Sequence, residues 1–337
     1  LSKEEIAGSM KLLDDHDLAV PHWPEEWGGR GWNDLQRHLY LEEMQAAGCP
    51  VPLAFNASMI GPVLAQFASQ EMKERFLPRT KSCEIWWSQG FSEPDAGSDL
   101  ASLRTSAVKD GDDWVVNGQK TWTTLGQHGD WIFTLVRTDP EVKKQAGISM
   151  LLIDMTSPGL TVRPIELIDG GHEVNEVWFE DVRVPGENLV GEPGQGWTMA
   201  KFLLGNERVG VAPVGATKAA LARATELDPQ SALAVSYRGL CYQQRGQPRL
   251  AQTWQENALQ LDPRCHMAWI HQGQAAQTIC ERHEARRCFL EAQELQPESL
   301  RAREGLVIAQ FDKEDKLPWG ARQAMKALFR EYERKLK

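Results

Sequence analysis

The sequence lacks the marks of a membrane-spanning, secreted or disulfide-stabilised protein. No apolar run approaches the roughly 20 residues that a membrane helix needs, and no basic-then-apolar signal segment opens the chain. The six cysteines contain no Cys-x-x-Cys pair, which argues against a zinc site or disulfide framework and favours a reduced, cytoplasmic setting. We therefore expect no glycosylation at the triplet Asn56-Ala57-Ser58. Because the chain opens on Leu1, we expect its start to lie within a domain.

Charge is distributed unevenly along the 337 residues. Residues 1–215 hold 18 Lys+Arg against 32 Asp+Glu, a net charge of −14. Residues 216–337 hold 19 against 15, a net charge of +4, and the two parts sum to −10. The step near residue 215 predicts two units of different origin. Neither unit is basic enough to predict nucleic-acid binding.

The first two thirds of the chain predict helices followed by an all-β module. Helices are expected over 35–47 and 62–76, the second ending at Pro78. Residues 84–185 predict a barrel or sandwich, because short runs rich in β-branched and aromatic residues alternate with turn clusters. The strands are expected at 131–136, 148–153, 160–162 and 177–182. Asn117-Gly118, between two β-favouring runs, predicts a hairpin turn, and a further helix is expected over 197–211.

The last third carries a 34-residue repeat. The corner Leu227-Asp228-Pro229 recurs as Leu261-Asp262-Pro263 and as Leu295-Gln296-Pro297, so the spacing is 261 − 227 = 295 − 261 = 34. Alanines recur in the same register at 224, 258 and 292 and at 234, 268 and 302. This period is typical of tetratricopeptide repeats, whose helical hairpins bury their apolar faces against neighbouring hairpins. An unrelated bundle with coincidental spacing is the alternative.

The repeat predicts paired helices and a cap. The helices are expected at 231–244, 248–261, 265–278, 282–295 and 299–311, followed by a long capping helix from residue 318. The whole chain is therefore expected to be a multidomain α+β protein with a helical N-terminal domain, a middle β domain and C-terminal all-α hairpins.

Residues 89–100 read Gln-Gly-Phe-Ser-Glu-Pro-Asp-Ala-Gly-Ser-Asp-Leu, which resembles a motif of the acyl-CoA dehydrogenases. Other segments resemble the family in the same order, at 23–29, 76–78, 117–124, 130–132, 147–149 and 161–165. The resemblance covers about residues 1–220. It implies an N-terminal helical domain over 1–82, a middle β domain over 83–195 and the start of a helical domain over 196–220, with the repeats following over 221–337.

The resemblance implies FAD as cofactor. The isoalloxazine ring needs hydrogen-bond donors at its edge and a flat apolar wall, and Phe91, Ser92, Thr124 and Trp122 offer these. By resemblance, the flavin contacts are Gln89, Phe91 and Ser92 at the pyrimidine end and Trp122, Thr123 and Thr124 along the ring, with Ser98 touching the acyl-CoA. From the residues alone, Trp122 as barrel core and Ser98 as a turn residue remain open.

Glu207-Arg208 resembles the position of the catalytic base in family members of the isovaleryl type. There the Glu carboxylate abstracts the α-proton of the acyl-CoA thioester, and the neighbouring Arg is expected at the substrate. Most members carry the base elsewhere, and a surface Glu paired with a nearby cation is the alternative here. No residue set predicts a metal site.

Two functions of different classes follow. The first is α,β-dehydrogenation of an acyl-CoA with hydride transfer to FAD and onward transfer to an electron-transfer acceptor. After about residue 220 nothing resembles the family's catalytic helical domain, so the second is a non-catalytic fusion whose repeats bind a protein or peptide partner. A homo-oligomer is compatible with either.

Overall fold

A computed structural model describes residues 2–207 and 213–309, with Glu207 described by its backbone alone. The chain divides into two compact units between Pro213 and Val214. The first unit opens with four helices, α1 (Lys3–Asp15), α2 (Asp34–Ala46), α3 (Gly61–Phe67) and α4 (Gln70–Lys81). A π-helical turn, Phe55–Ile60, precedes α3. The unit closes with α5 (Gly196–Glu207).

The predicted helix over 62–76 is two helices. α3 ends at Phe67, and the hydroxyl of Ser69 caps α4 by accepting from the backbone N–H of Met72 at 3.2 Å. The prediction that this segment ends at Pro78 was also wrong, because α4 runs on to Lys81 with Pro78 inside it. A proline removes one backbone hydrogen bond, and the burial of Phe76 on the preceding turns offsets that loss.

Seven hydrogen-bonded strands follow the helices. They are β1 (Trp87–Gly90), β2 (Ser106–Asp110), β3 (Asp113–Thr124), β4 (Trp131–Arg137), β5 (Ile148–Asp154), β6 (Leu160–Ile165) and β7 (Val174–Pro185). Their order is β1-β4-β2-β3-β7-β6, and β5 pairs with β4. β1 and β3 therefore are not adjacent in the sheet.

The hairpin predicted at Asn117-Gly118 was wrong. Both residues lie inside β3, which pairs with β7 and shifts register between Val116 and Gly118. The amide of Asn117 exchanges two 2.9 Å hydrogen bonds with Asp181 on β7. Gly118 has φ +145° and approaches Thr105 so closely that a Cβ would lie 2.6 Å from its hydroxyl. Two residues of β7, Glu180 and Asp181, face the single residue Asn117, so the bulge lies on β7 and Asn117-Gly118 continues β3 past it.

β4 and β5 are buried on both faces, which explains their continuous apolar runs. Alternate side chains such as Phe133 and Met150 join the core that the N-terminal helices build. Their neighbours Ile132 and Leu151 join a second core with β3 and β7. Because successive side chains on a strand point to opposite faces, these two strands connect the helical region to the β module.

The second unit is helical throughout its described part. It contains α6 (Val214–Leu227), α7 (Ala232–Gln244), α8 (Pro248–Leu261), α9 (His266–Thr278), α10 (Arg282–Leu295) and α11 (Leu300–Ala309). The starts of α7, α9 and α11 are 34 residues apart (266 − 232 = 300 − 266), as are those of α8 and α10 (282 − 248). The bounds predicted for α8 and α10 agree to the residue. The end of the helix predicted over 299–311 and the cap from 318 lie outside the described residues.

Candidate functional site

The end of β3 presents an unusual tryptophan. Thr121 and Trp122 are opposed by one residue of β7, so the strand bulges there. Trp122 adopts a left-handed backbone with φ +59°, which is strained for a bulky residue. Its indole is 59% exposed, whereas a tryptophan of the barrel core would be buried. The bulge therefore holds a flat apolar surface out to solvent.

Polar side chains flank Trp122 along β3 and lie on the segment that is hydrogen-bonded to it. Ser92, just after β1, is joined to β3 by a 2.9 Å hydrogen bond from the backbone N–H of Thr121 to its carbonyl. Within the described residues, the hydroxyls of Ser92 and Thr124 and the amide of Gln89 have no hydrogen-bond partner. Thr124 is exposed and the other two are half-buried. These groups remain available to a ligand.

Two of the predicted flavin contacts are buried. Phe91 is 7% exposed and packs edge-on against Phe133, with ring centroids 5.8 Å apart, so it offers a ligand its backbone and not its ring. Thr123 is 1% exposed, and its hydroxyl has no partner in the described part of the chain. Its carbonyl accepts from the side chain of Asn175 at 3.1 Å, which braces the strand end behind Trp122.

A buried ion pair that the sequence analysis missed lies behind this surface. The ammonium of Lys120 is 2.7 Å from Glu93 Oε1 and donates to the carbonyl of Phe91 at 3.1 Å. Burial lowers the pKa of Lys120 to about 8, against the opposing attraction of Glu93. The carboxylate of Glu93 accepts from Lys120 and from two backbone N–H groups, which keep its pKa below the usual range despite burial. The available sequence signal is a lysine inside a strand between two tryptophans, Trp114 and Trp122, since a fully buried lysine is almost always paired.

A cavity of about 510 Å³ lies beside the same strand end. It falls within the size range of small-molecule and cofactor sites. Its lining is mixed and includes Gln127, Met155, Val162, His172 and Asn175. None of these residues is among the predicted contacts, because they come from strands β6 and β7 and from loops that are distant in sequence.

The remaining predicted residues lie elsewhere. Ser98 is exposed on the turn that follows the Glu93–Ala96 bridge, and within the described residues its side chain makes no hydrogen bond to the strand ends. Glu207 is the last residue of α5, where the guanidinium of Arg37 donates to the carbonyl of Asn206 at 2.9 Å. The side chain of Glu207 and all of Arg208 lie outside the described residues.

Two further expectations concern metals and membranes. Among the described residues, no three His, Cys, Asp or Glu side chains are placed to share a metal ion. In the same part of the chain, no helix combines the length and the apolar character that crossing a membrane requires. Asn56 of the glycosylation triplet is fully buried.

Comparison with known families identifies the class. Residues 3–84 match the N-terminal domain of the acyl-CoA dehydrogenases, and residues 88–182 match their middle domain. These segments therefore belong to the N-terminal and middle domain families of the acyl-CoA dehydrogenases. Members of this family are FAD-dependent flavoproteins. The exposed indole and the unpartnered hydroxyls around it fit a flavin ring, which presents a flat face and a polar edge.

Individual relatives point to the same family. The chain is 45% identical over 213 residues to acyl-CoA dehydrogenase IpdE1 of Mycobacterium tuberculosis, covering 63% of this chain and 55% of that protein. It is 42% identical over 193 residues to acyl-CoA dehydrogenase FadE29 of the same organism, covering 57% and 50%. The chain thus spans about half the length of these relatives.

Solved structures share the fold more widely. The ChsE4-ChsE5 complex from Mycobacterium tuberculosis is 26% identical with a TM-score of 0.63, covering 96% of this chain and 88% of that one. The Tcur3481-Tcur3483 steroid ACAD is 25% identical with a TM-score of 0.64, covering 96% and 82%.

Proposed function

We propose that the chain is an FAD-dependent oxidoreductase that removes hydrogen from the α and β carbons of an acyl-CoA thioester. This proposal rests on Trp122, whose backbone is strained and whose side chain is exposed, and on the unpartnered hydroxyls of the two segments that meet there. Non-glycine residues in left-handed conformations cluster at functional sites because the surrounding fold must maintain them. FAD, when bound, supplies the acceptor for the β-hydride, and a separate electron-transfer protein would reoxidise it.

The chain's own residues would orient the cofactor. Trp122 would supply a flat apolar wall for the ring. The hydroxyls of Ser92 and Thr124 would donate to polar atoms of the ring, and the backbones of Phe91 and Thr123 and the side chain of Gln89 would complete the contact set. Ser98, on its exposed turn, would contact the acyl-CoA. Such preorganised donors stabilise developing charge without rearranging during the reaction.

Glu207 would act as the base. Its carboxylate takes the α-proton as the α C–H bond breaks, the β-hydrogen departs with its electron pair, and the carbon–carbon double bond forms. Arg208 would bind the substrate next to it. A base for so weak an acid needs a desolvated position and a raised pKa. Arg37 anchors the backbone at the end of α5, beside this residue.

The test is reconstitution with FAD, followed by acyl-CoA oxidation with an artificial electron acceptor. We expect bound flavin near one per chain, and Glu207→Gln to abolish turnover while flavin stays bound. Glu187→Gln is the matched control, since Glu187 is an exposed carboxylate paired with Arg75 at 3.0 Å. A chain that takes up no FAD would overturn the proposal, and unchanged turnover in Glu207→Gln would remove that residue from it.

A second candidate function belongs to the second unit. We infer that α7–α11 are tetratricopeptide-type hairpins that bind a protein or peptide partner. The 34-residue spacing of both helix series favours this, since repeats of this length build extended binding surfaces. Affinity purification of the full chain tests it. A partner should cross-link to α7–α11, and cross-links confined to the first unit would contradict it.

A further inference from the structure

We propose that Lys120, acting with Glu93, is a positioning residue that holds the two flavin-contacting segments in register. The inference rests on the proposed FAD binding and concerns a pair of residues that would not touch the cofactor. The segments are residues 89–93, which begin at the end of β1, and residues 119–124 at the end of β3, and the proposed flavin contacts lie within them.

The sheet does not hold these segments together by itself. β1 pairs with β4, whereas β3 pairs with β2 and β7. Between residues 89–93 and 119–124 the described hydrogen bonds number three. One is the backbone bond from Thr121 to Ser92, and the other two come from the ammonium of Lys120, to Phe91 and Glu93. Lys120 therefore supplies most of the polar linkage.

Glu93 extends this linkage to the next segment. Its Oε2 accepts from the backbone N–H of Arg104 at 2.6 Å, and its Oε1 accepts from that of Thr105 at 2.9 Å. Glu93 also bridges to Ala96 through paired backbone hydrogen bonds of 3.1 Å. One carboxylate thus connects the turn after β1, the start of β2 and, through Lys120, the end of β3.

The pair is buried, so its loss cannot be compensated by water. Lys120 is 0% exposed and Glu93 is 8% exposed. Removing one partner of a buried pair leaves an unpaired charge and is strongly unfavourable. Two charged groups act on Lys120. Glu93 stabilises its ammonium, whereas Arg137 at the end of β4 destabilises it by like-charge repulsion. Glu93 is therefore the group that keeps this lysine charged at neutral pH.

The experiment compares FAD affinity in Lys120→Met, Glu93→Gln and the double variant, each purified as the full chain. We expect each single change to weaken FAD binding roughly tenfold or more, as loss of a charge-assisted hydrogen bond does. The double variant should lose less than the product of the two single losses. Lys81→Met is the matched control, because Lys81 pairs with Asp14 at 2.8 Å in the helical region. It should leave FAD affinity unchanged.

A pH profile separates positioning from simple destabilisation. Because burial lowers the pKa of Lys120 to about 8, wild-type affinity should fall as the pH rises through that value. In Glu93→Gln the attraction that supports the ammonium is gone, so the transition should move to lower pH. In Lys120→Arg it should vanish, since a guanidinium does not titrate there.

Hydrogen exchange in the cofactor-free chain gives a readout that does not depend on FAD. The backbone amides of Arg104, Thr105 and Thr121 should exchange faster in Lys120→Met and Glu93→Gln than in wild type. If wild type binds no FAD, the proposed function fails and this inference fails with it. If wild type binds FAD and the variants bind it equally well, or their exchange is unchanged, only the positioning role is overturned.

Discussion

The side-chain oxygen of Asn56 accepts a hydrogen bond of 3.2 Å from the backbone N–H of Trp87, which connects the helical region to the first strand. The same amide donates to the carbonyls of Thr80 and Ile85 at 2.9 and 2.7 Å. Asn56 is thus a buried junction with three backbone partners on two segments. It is inaccessible to glycosylation in the folded chain, although it begins a formal acceptor triplet.

Replacing Asn56 by Ala should lower the free energy of unfolding of the first unit by about 3 kcal/mol, because three buried backbone groups lose their partner. Urea unfolding of the full chain, followed through the first unit's hydrogen exchange, measures this. Gln70→Ala, which removes an exposed bond to Glu74 of 2.8 Å, should change it by less than about 0.5 kcal/mol. Equal effects of the two changes would contradict the junction role.

Trp122 should show opposite effects on stability and on cofactor binding. Trp122→Gly relieves a left-handed backbone at φ +59°, so the stability of the first unit should rise by about 1 kcal/mol. FAD affinity should fall at least tenfold, or about 1.4 kcal/mol, because the indole wall is gone. Unfolding curves and flavin titration measure the two quantities.

Trp122→Ala is the control for that experiment. It also removes the indole but keeps a Cβ in the left-handed region, so it should bind FAD as weakly as Trp122→Gly and be less stable than it by about 1 kcal/mol. Stability that falls equally in both variants would mean that the indole contributes packing and stores no strain.

His271 should make the second unit sensitive to acid. Its Nδ1 lies 2.8 Å from the hydroxyl of Ser236. Burial lowers the pKa of His271 to about 4, with smaller contributions from Arg301 and His266. In the unfolded chain the imidazole titrates near 6.5, so the unfolded state binds more protons between these values. Stability is therefore complete above about pH 6.5 and falls by up to about 3 kcal/mol as pH drops towards 4.

Hydrogen exchange in α7 and α9 at pH 7 and pH 4.5 tests this dependence. His271→Gln should remove most of it, while the exposed His283→Gln should preserve it. The same acid sensitivity in both variants would assign the effect to other groups.

The ring of Phe289 packs against a glycine on each of two neighbouring helices. The ring faces Gly273 on α9 and Gly305 on α11, leaving no room for a Cβ at either position. Gly305→Ala should therefore destabilise the second unit by about 1–3 kcal/mol through overpacking. Gly8→Ala, in a helix with open space around it, should stabilise the first unit by up to about 1 kcal/mol. Thermal unfolding of the full chain distinguishes the two outcomes, and a stabilised Gly305→Ala would show that the ring can move.

Some elements were predictable because local signals specify them. The helices Pro248–Leu261 and Arg282–Leu295 match their predicted bounds, since each ends at a corner of the same type, Leu261-Asp262-Pro263 or Leu295-Gln296-Pro297. Strands β4 and β5 were predicted within one residue at their ends. Their continuous apolar runs indicate strands buried on both faces.

Other elements depended on distant partners. Asn117-Gly118 has the composition of a tight turn, but hydrogen bonding of Asn117 to Asp181 keeps the pair within β3, opposite a bulge of β7. Pro78 stayed within a helix because the packing of that helix outweighs one lost hydrogen bond. In each case the local preference was real, but a contact more than 50 residues away or a packed core selected among its possible outcomes.

By itself the sequence determined the order of the dehydrogenase-like motifs and the 34-residue period, and it singled out the residues that resemble the family's flavin contacts. Only the tertiary structure decided which of them are available to a ligand. It exposed Trp122, buried the ring of Phe91 and joined Lys120 to Glu93, 27 residues earlier in the chain. The physical reason is that motif identity is local, whereas exposure and charge pairing depend on which strands the fold brings together.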